Sequence, residues 1–246
     1  MTDLHTHILP GMDDGSRSPE MSLELLRTEA AQGVDTVVLT PHYYRERENS
    51  DHFLERRAAA MDRLEEAIAA LPEEERGKLP RLVLGAEVAW VPNLLDCSRL
   101  RELCYTGTDA FLLELPMTPW YDGLFAQLMD LMNATGLTPV IAHIDRYWHS
   151  QKPERLRELL SLGLPTQLSA EMLLRFSTRG TALKYLQSGR AQLLMSDCHD
   201  PQNRRPNLRD GLAAAEKKLG ADFRARLEEN TDELLRKYAL KRGETR

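Results

Sequence analysis

Residues 4–8, LHTHI, decide the fold of this chain, because they place His5 and His7 two positions apart on an apolar segment. In a β-strand, residues i and i+2 point to the same face. Near the other end of the chain, residues 193–199, LLMSDCH, hold an aspartate and a histidine in the same relation. Imidazole and carboxylate groups are ligands of catalytic metal ions. The two segments therefore predict strands that each aim two metal ligands at one place.

Strand-like and helix-like segments alternate along the chain. Strands are predicted at residues 4–9, 35–40, 81–88, 110–115, 138–143, 165–169 and 192–196. Helices are predicted at residues 19–32, 52–71, 124–134, 154–162, 180–187 and 208–219, the first of them capped by Ser18. About seven strands, nearly all followed by a helix, predict an α/β protein with a parallel sheet, and a single closed barrel is its economical form. We expect one domain over residues 1–246, with a charged helical tail that frays at residues 241–246.

Composition and charge exclude several classes of protein. Hydrophobic residues make up 42% of the chain, which suffices for a core, and the net charge of −6 weighs against a dedicated nucleic-acid binder. No apolar run approaches the ~18–20 residues that span a bilayer, and the N-terminus lacks the regions of a signal peptide. We therefore expect a cytoplasmic protein without direct membrane insertion. Its three cysteines, Cys97, Cys104 and Cys198, are expected to be free thiols.

Further side chains of metal-ligand type follow the C-terminal ends of the predicted strands. They are Asp13, Asp14, His42, Glu87, Glu114 and His143. Each has an ordinary explanation when taken alone, as a turn residue, a salt-bridge partner or a structural histidine. Barrel active sites lie at the C-terminal ends of the strands, so these positions would converge on one opening. Their shared position favours a metal site, whereas His52 and His149 are assigned structural roles.

The motifs resemble those of the PHP (polymerase and histidinol phosphatase) superfamily. They are DLHTH at residues 3–7, TPH at 40–42, GAE at 85–87, PVIAHIDRY at 139–147 and SDCH at 196–199. The resemblance extends over residues 3–206. Within the superfamily, residues 3–18 and 139–147 look most like the bacterial manganese-dependent tyrosine phosphatases of capsule and exopolysaccharide clusters.

This resemblance implies a distorted (β/α)7 barrel that holds three divalent metal ions. By position, the first ion would be held by His5, His7, Glu87 and Asp197, the second by Glu87, Glu114 and His143, and the third by Asp14, His42 and His199. Manganese is the ion that the resemblance implies. Mixed oxygen and imidazole ligands suit iron and zinc equally well.

The resemblance also implies residues that bind and process the substrate. Arg146 and Arg204 match the family's phosphate-binding arginines, with the adjacent Arg205 as an alternative to Arg204, and Asp197 and His42 are expected among the catalytic residues. Asp145 stands where the family usually has glutamate. Six aromatics follow ligand-bearing strands, namely Tyr43, Tyr44, Trp90, Trp120, Tyr121 and Trp148. Tyr43 and Trp120 are the two expected to contact the substrate.

The implied reaction is hydrolysis of phosphotyrosine by a metal-bridging hydroxide, with arginines balancing the charge on the phosphoryl oxygens. A phenolic leaving group with a pKa of about 10 needs no strong general acid, unlike an alkoxide. The implied partner is the phosphotyrosine tail of a membrane-associated tyrosine autokinase that controls polysaccharide export.

Three other functions compete with this hypothesis. A histidinol-phosphate phosphatase or another small-molecule phosphoesterase would use the same metals. Residues 198–204 match the C-x5-R spacing of cysteine-based tyrosine phosphatases, but they contain no glycine, and Pro201 lacks a donor N–H. Strand alternation also predicts that Cys198 faces away from Asp197 and His199. A non-enzymatic binding module would predict broken ligand sets, whereas every expected position is filled.

Overall fold

The computed structural model describes residues 1–237, whose strands all pair in parallel. The strands are β1 (Thr2–Thr6), β2 (Thr36–Leu39), β3 (His42–Tyr43), β4 (Arg81–Leu84), β5 (Glu87–Ala89), β6 (Ala110–Glu114), β7 (Thr138–Ile141), β8 (Gln167–Ser169) and β9 (Leu193–Met195). The predicted parallel α/β fold is thus confirmed. The fraying expected at residues 241–246 lies outside the described residues.

The strands form three sheets instead of one continuous barrel ladder. Their orders are β1-β2-β4, β3-β5-β6-β7 and β8-β9. Isolated bridges join Thr6 to Cys198 and Ile141 to Thr166, at the edges where the sheets adjoin. The continuous closed sheet that the sequence predicts is therefore absent from residues 1–237.

One predicted strand is interrupted and another is followed by a strand that was not predicted, and both breaks divide the ladder. The predicted strand 35–40 corresponds to β2, and the short strand β3 follows it after Pro41. The predicted strand 81–88 yields β4 and β5 on either side of Gly85 and Ala86. Proline has no N–H to donate to a ladder. At Gly85 a Cβ atom would lie 3.0 Å from the ring of Tyr105. Because β2 pairs with β4 and β3 with β5, both strands change sheet at the same level.

Helices follow most strands and cover the sheets. They are α1 (Pro19–Ala31), α2 (Ser50–Ala69), α3 (Glu73–Arg76), α4 (Leu124–Thr135), α5 (Pro153–Ser161), α6 (Glu171–Leu174), α7 (Phe176–Gln187), α8 (Leu208–Leu219) and α9 (Ala221–Lys237). Ser18 caps α1 as predicted, its side chain accepting a hydrogen bond from the N–H of Met21. None of the helices in residues 1–237 is long and apolar enough to cross a membrane.

One apolar cluster draws its side chains from all three sheets. Leu4, Val38, Leu112, Val140 and Leu193 are buried together, one each from β1, β2, β6, β7 and β9. Full burial of such a side chain contributes about 1.5–3 kcal/mol. The three sheets therefore face a common interior, and a larger cluster packs between sheets and helices.

β1, the first strand, lies beside the segment that follows β9, the last strand. The N–H of Asp197 donates to the carbonyl of His5 at 3.0 Å, and the N–H of His7 donates to the carbonyl of Cys198 at 2.9 Å. The buried carboxylate of Asp3 accepts hydrogen bonds from the backbone of both segments. This pairing brings the two sequence pairs of candidate ligands together.

The packing of α8 depends on a glycine, and a second helical glycine provides a matched control. A Cβ atom at Gly211 would lie 2.7 Å from the Cβ of Ala170, whereas one at Gly180 in α7 would meet nothing within 4 Å. We expect Gly211→Ala to lower the free energy of unfolding by about 1–3 kcal/mol through overpacking. Gly180→Ala should raise it by up to about 1 kcal/mol through helix propensity. Urea unfolding measures both, and shifts of equal sign would contradict the packing argument.

Candidate metal centre

Nine side chains of metal-ligand type converge at the carboxyl ends of the strands. They are His5, His7, Asp14, His42, Glu87, Glu114, His143, Asp197 and His199. Most of them are buried, but the side chain of Asp14 is 65% exposed and faces the opening. The structure thus brings together every residue that the sequence predicts as a ligand.

The carboxylate of Glu87 lies at the middle of this cluster and is surrounded by four imidazoles. Its Oε2 lies 3.3 Å from Nε2 of His5 and 3.4 Å from Nε2 of His7. Nδ1 of His42 lies 2.9 Å from the same oxygen, while Nε2 of His143 lies 2.7 Å from Oε1. Glu87 can therefore bridge ligand groups on either side of it.

Asp197 and Asp14 complete the cluster. Oδ1 of Asp197 lies 3.5 Å from Nε2 of both His5 and His7. Oδ1 of Asp14 lies 3.5 Å from Nε2 of both His42 and His199. Each carboxylate thus faces two imidazole nitrogens across a gap that is wide for a hydrogen bond.

Three groups of these residues have ligand atoms that all lie within 4.8 Å of one another. They are His7, Asp14, His42 and His199; His5, His7 and Glu87; and His42, Glu87 and Glu114. They overlap the three predicted sets. The groups differ from the predicted sets by adding His7 to the group of Asp14 and His42 to the group of Glu114. Asp197 and His143 belong to none of the three groups, although both lie beside them.

The residues fit a bound cation, because several buried polar atoms of the cluster have no hydrogen-bond partner. These atoms are Glu87 Oε2, His42 Nδ1, His143 Nδ1 and His199 Nε2. Glu87 Oε2 and His42 Nδ1 are only 2.9 Å apart, yet they are not aligned for a hydrogen bond. A buried polar atom without a partner costs about 1–3 kcal/mol. Divalent ions would satisfy this donor set of imidazoles and carboxylates.

The pKa values of two histidines reflect the negative charge of the cluster. Burial disfavours the charged form of His7, but Asp13 and Glu87 outweigh it and raise its pKa to about 10. Burial is likewise outweighed at His143, where Glu114 and Glu87 raise the pKa to about 9. The pKa of a buried imidazole is raised in this way only where nearby carboxylates stabilise its protonated form. Metal binding at these nitrogens would therefore release protons.

The neighbouring groups have pKa values shifted downwards. Burial and the charge of His7 lower the pKa of His199 to about 3, so its imidazole is neutral near pH 7, the form that binds metals. Burial opposes the charged form of Asp197, but His5 and Arg146 outweigh it and hold its pKa well below the usual range. Both groups are thus in their ligating protonation states.

Two residues that the sequence analysis did not assign as ligands orient the histidines. Oδ2 of Asp13 lies 2.7 Å from Nδ1 of His7, and Oε1 of Gln167 lies 3.2 Å from Nδ1 of His5. Such partners fix the ring and leave Nε2 for the metal. Asp13 is among the side chains that the sequence places after the first predicted strand. Gln167 was missed, although a polar side chain within the short strand β8 was an available signal.

The backbone is left-handed at two candidate ligands. His143 has a φ of +27° and Asp197 a φ of +54°. Non-glycine residues seldom adopt positive φ, and such strain costs about 1–3 kcal/mol and concentrates at functional sites. β7 and β9 therefore end before these residues. The sequence predicts instead that the strand corresponding to β7 continues to residue 143.

Two of the three candidate arginines reach the cluster. Arg146 and Arg204 both donate to Oδ2 of Asp197, the latter from Nη2 at 2.6 Å. Arg146 also lies 3.7 Å from Glu114. Arg205 is 63% exposed and pairs at 3.9 Å with Asp210, away from Asp197. Of the two neighbours, Arg204 is the one that faces the centre.

The two aromatics expected to contact the substrate lie in the core. Tyr43 is 1% exposed and packs against Phe53, and Trp120 is 6% exposed and packs against Phe125. The expectation is wrong because β3 turns Tyr43 inwards and the indole N–H of Trp120 is held by a backbone carbonyl. Tyr44 lies at the centre in their place, with its ring stacked on His42 at a centroid distance of 5.2 Å.

Cys198 is a buried thiol that points away from the cluster. Its Sγ lies 3.6 Å from Oε1 of Glu29, and burial raises its pKa well above the usual range. A nucleophilic cysteine needs the thiolate and access to substrate. The orientation is as predicted but the reason differs, because β9 ends at Met195 and Cys198 lies beyond the strand. Cys97 and Cys104 are also buried and free.

The fold and the cluster define a class of protein, namely a parallel α/β protein with a candidate metal centre at the carboxyl ends of its strands. Comparison with known sequences identifies the family. The chain belongs to the family described as capsular polysaccharide synthesis, CpsB/CapC, which it matches over residues 1–236.

Individual relatives and a solved structure agree with this assignment. The tyrosine-protein phosphatase YwqE of Bacillus subtilis is 28% identical over 98% of this chain and 93% of its own length. The tyrosine-protein phosphatase CpsB of Streptococcus pneumoniae is 28% identical over 90% of this chain and 92% of its own. A chain from the crystal structures of YwqE and CpsB, described as unique metal-dependent tyrosine phosphatases, has the same fold. It matches with a TM-score of 0.82 at 24% identity, over 98% of this chain and 96% of that chain.

Asp13 offers a test of how the cluster is supported. We expect Asp13→Asn to weaken metal binding by about 10-fold or more, because the carboxylate that orients His7 loses its charge. Titration calorimetry with manganese on metal-stripped protein measures the dissociation constant. Asp62→Asn removes one negative charge on the exposed surface of α2, away from the site, and should leave the dissociation constant for manganese unchanged. Equal affinities for the two variants would contradict a supporting role for Asp13.

Proposed function

We propose that this protein is a metal-dependent protein-tyrosine phosphatase. One observation carries the proposal: Arg146 and Arg204 converge on Asp197 at the edge of a cluster of nine candidate metal ligands. Metal ions and guanidinium groups at one point suit a phosphoryl group, whose transfer is catalysed by positioning and charge stabilisation. Membership of the CpsB/CapC family, whose relatives YwqE and CpsB bear the name tyrosine-protein phosphatase, supports the same function.

The ligand set supports three divalent ions, with manganese as the proposed metal. His5, His7, Glu87 and Asp197 would hold the first, Glu87, Glu114 and His143 the second, and Asp14, His42 and His199 the third. When bound, such ions supply a water activated near neutral pH and neutralise charge on the phosphoryl oxygens.

The proposed reaction needs side chains that bind the phosphoryl group, but it needs none that protonates the leaving oxygen. Arg146 and Arg204 would exchange their contact with Asp197 for the phosphoryl oxygens, while Asp197 and His42 would be among the residues that hold the metals. Arginine suits this role because its planar fork matches phosphate oxygens. No side chain has to protonate the leaving oxygen, since a phenolate is a good leaving group.

We also propose that the three sheets together form the distorted (β/α)7 barrel of the PHP type, as a single domain over residues 1–246. Counting β2 with β3 and β4 with β5 leaves seven strand positions. The bridges at Thr6 and Ile141, and the apolar cluster shared by all three sheets, support closure of the ring.

The proposed partner is the phosphotyrosine tail of a membrane-associated tyrosine autokinase, in the control of capsule or exopolysaccharide synthesis. Its support is the family, which is described by capsular polysaccharide synthesis. We propose a cytoplasmic location, where such a tail would be reached.

The first test compares two substrates after metals are stripped and manganese is restored. We expect manganese-dependent turnover of a phosphotyrosine peptide to exceed turnover of histidinol phosphate, because the site offers no spare acid for an alkoxide among residues 1–237. Steady-state kcat/KM on both substrates measures this. Preference for histidinol phosphate would keep the metal centre but move the function to small-molecule phosphoesters. Absence of turnover with any metal would overturn the enzymatic proposal.

Cys198→Ser separates the metal mechanism from the cysteine mechanism. The thiol is buried and protonated, so the substitution should leave kcat/KM on the phosphotyrosine peptide unchanged. Circular dichroism of the same sample checks that the variant is folded. A folded Cys198→Ser protein without turnover would assign the chemistry to the thiol.

A further inference from the structure

A groove leaves the metal centre on the side of its two arginines. It has a volume of about 300 Å³ and lies between the segment that follows β8 and the segment that follows β9. Its lining includes Arg146, Asp197 and Arg204 of the centre, together with Met172, Arg175 and Arg205. We call it the Arg175–Arg205 groove. Because the same arginines line the groove and face the centre, a polypeptide bound at the centre can extend into it.

The Arg175–Arg205 groove carries an excess of positive charge. Its lining has four arginines, Arg146, Arg175, Arg204 and Arg205, and three carboxylates, Asp145, Glu171 and Asp197. Asp145 is buried and engaged by the N–H and hydroxyl of Ser169, at 2.9 and 3.0 Å. Glu171 accepts from Nε of Arg175 at 2.9 Å. The carboxylate of Asp145 is thus already hydrogen-bonded within the protein, and the charge of Glu171 is paired with that of Arg175.

Arg205 is the cation of this groove with the weakest internal partner. Its ion pair within residues 1–237 joins Nη2 to Asp210 at 3.9 Å, and its side chain is 63% exposed. An exposed pair at that distance contributes little to stability. The guanidinium group can thus turn to an anionic ligand at small cost, and its fork suits a carboxylate.

The groove lining includes the apolar side chains of Met172 and Leu174, and an exposed aromatic side chain follows Arg175 in sequence. Phe176, the residue after Arg175, is 93% exposed, and the partly buried Met172 lines the groove. A large aromatic side chain so exposed is unusual in a folded protein and often marks an interaction site. A polypeptide in the groove could cover it with the apolar part of its own side chains.

The charge on the opposite side of the centre differs. A second groove, of about 580 Å³, is lined there by Asp13, Asp14, Tyr44, Arg47, Glu48 and Arg56 among others. Its Arg56 is held by Glu48 at 2.6 Å and by the carbonyl of Met12 at 2.8 Å. Its Arg47 lies over the ring of Tyr44. The carboxylates of this second groove, Asp13, Asp14 and Glu48, outnumber its two arginines, whereas arginines outnumber carboxylates in the Arg175–Arg205 groove.

We propose that the Arg175–Arg205 groove binds an acidic side chain of the substrate polypeptide, close in sequence to the phosphotyrosine, with its carboxylate on Arg205. This inference rests on the proposed function, because it takes Arg146 and Arg204 as the binding site of the phosphoryl group. Arg205 is then a specificity-determining residue: it selects the polypeptide around the phosphotyrosine.

The test compares two phosphotyrosine peptides that differ only in having glutamate or glutamine on both sides of the phosphotyrosine. With the full chain and restored manganese, we expect kcat/KM to favour the glutamate peptide by about fivefold, as an exposed ion pair allows, mainly through KM. The preference should collapse in about 0.5 M salt, which screens exposed charges. Arg205→Glu should abolish or reverse the ratio, and Arg205→Gln should reduce it.

Arg81→Glu is the control for the change in net charge. Arg81 is exposed at the start of β4, at the opposite end of the strand from the metal centre, so its variant should keep the original ratio. A ratio of one in the unchanged protein, or a ratio that folded Arg205→Glu and Arg205→Gln both preserve, would overturn the groove proposal.

A small aryl phosphate without flanking residues distinguishes the two proposals. Metal-dependent turnover of para-nitrophenyl phosphate without a preference for the glutamate peptide would overturn the groove alone. No turnover of this compound or of either peptide would overturn the proposed function and the groove with it.

Discussion

The backbone pairing of β1 with the segment after β9 is the constraint on which the rest of the site depends. Hydrogen bonds link His5 to Asp197 and His7 to Cys198, and the buried carboxylate of Asp3 joins the same two segments. Residues almost 200 positions apart in sequence thereby place their ligand atoms within one cluster. Because the pairing is made by the backbone, it holds the cluster in position independently of any side-chain rotamer. The other candidate ligands lie on strand ends and loops around the position that this pairing gives to His5, His7 and Asp197.

The cost of such a site is electrostatic, and its residues offset that cost together. Isolated buried charges are strongly unfavourable, and removing one partner of a buried pair leaves the other uncompensated. Here Glu87 has imidazoles on both sides, and Asp197 has two arginines as well as His5 and His7. The left-handed backbone at Asp197 adds strain. Cations that bind the folded chain would stabilise it, so that metal binding and folding are thermodynamically coupled.

How far the sequence predicts this structure depends on the range of the interactions involved. Ligands placed by strand ends, such as His5 and Glu87, are predictable because strand periodicity and parallel topology act on every strand alike. The division into three sheets was not predictable, because it depends on the pairing of the residues around Pro41 with the adjacent strand. The burial of Tyr43 was missed for a related reason: the two-residue strand β3 is too short to reveal an alternating pattern. Gln167 orients His5 across 162 positions; its polar side chain within a buried strand is a local signal, but no local pattern identifies His5 as its partner.

The chemistry of the residues around the cluster also bears on which phosphate esters it can cleave. In the described part of the chain, each imidazole and carboxylate of the centre is a candidate metal ligand or is paired with another group of the centre. Tyr44 stacks on His42, but burial raises its pKa to about 12, and burial of Arg146 is outweighed by carboxylates that raise its pKa. Neither group gives up a proton readily near neutral pH. An alkoxide leaving group needs such a proton, whereas a phenolate with a pKa of about 10 does not. Among residues 1–237, the centre thus combines side chains that suit a metal with no ready donor for an alkoxide, and this combination favours an aryl phosphate.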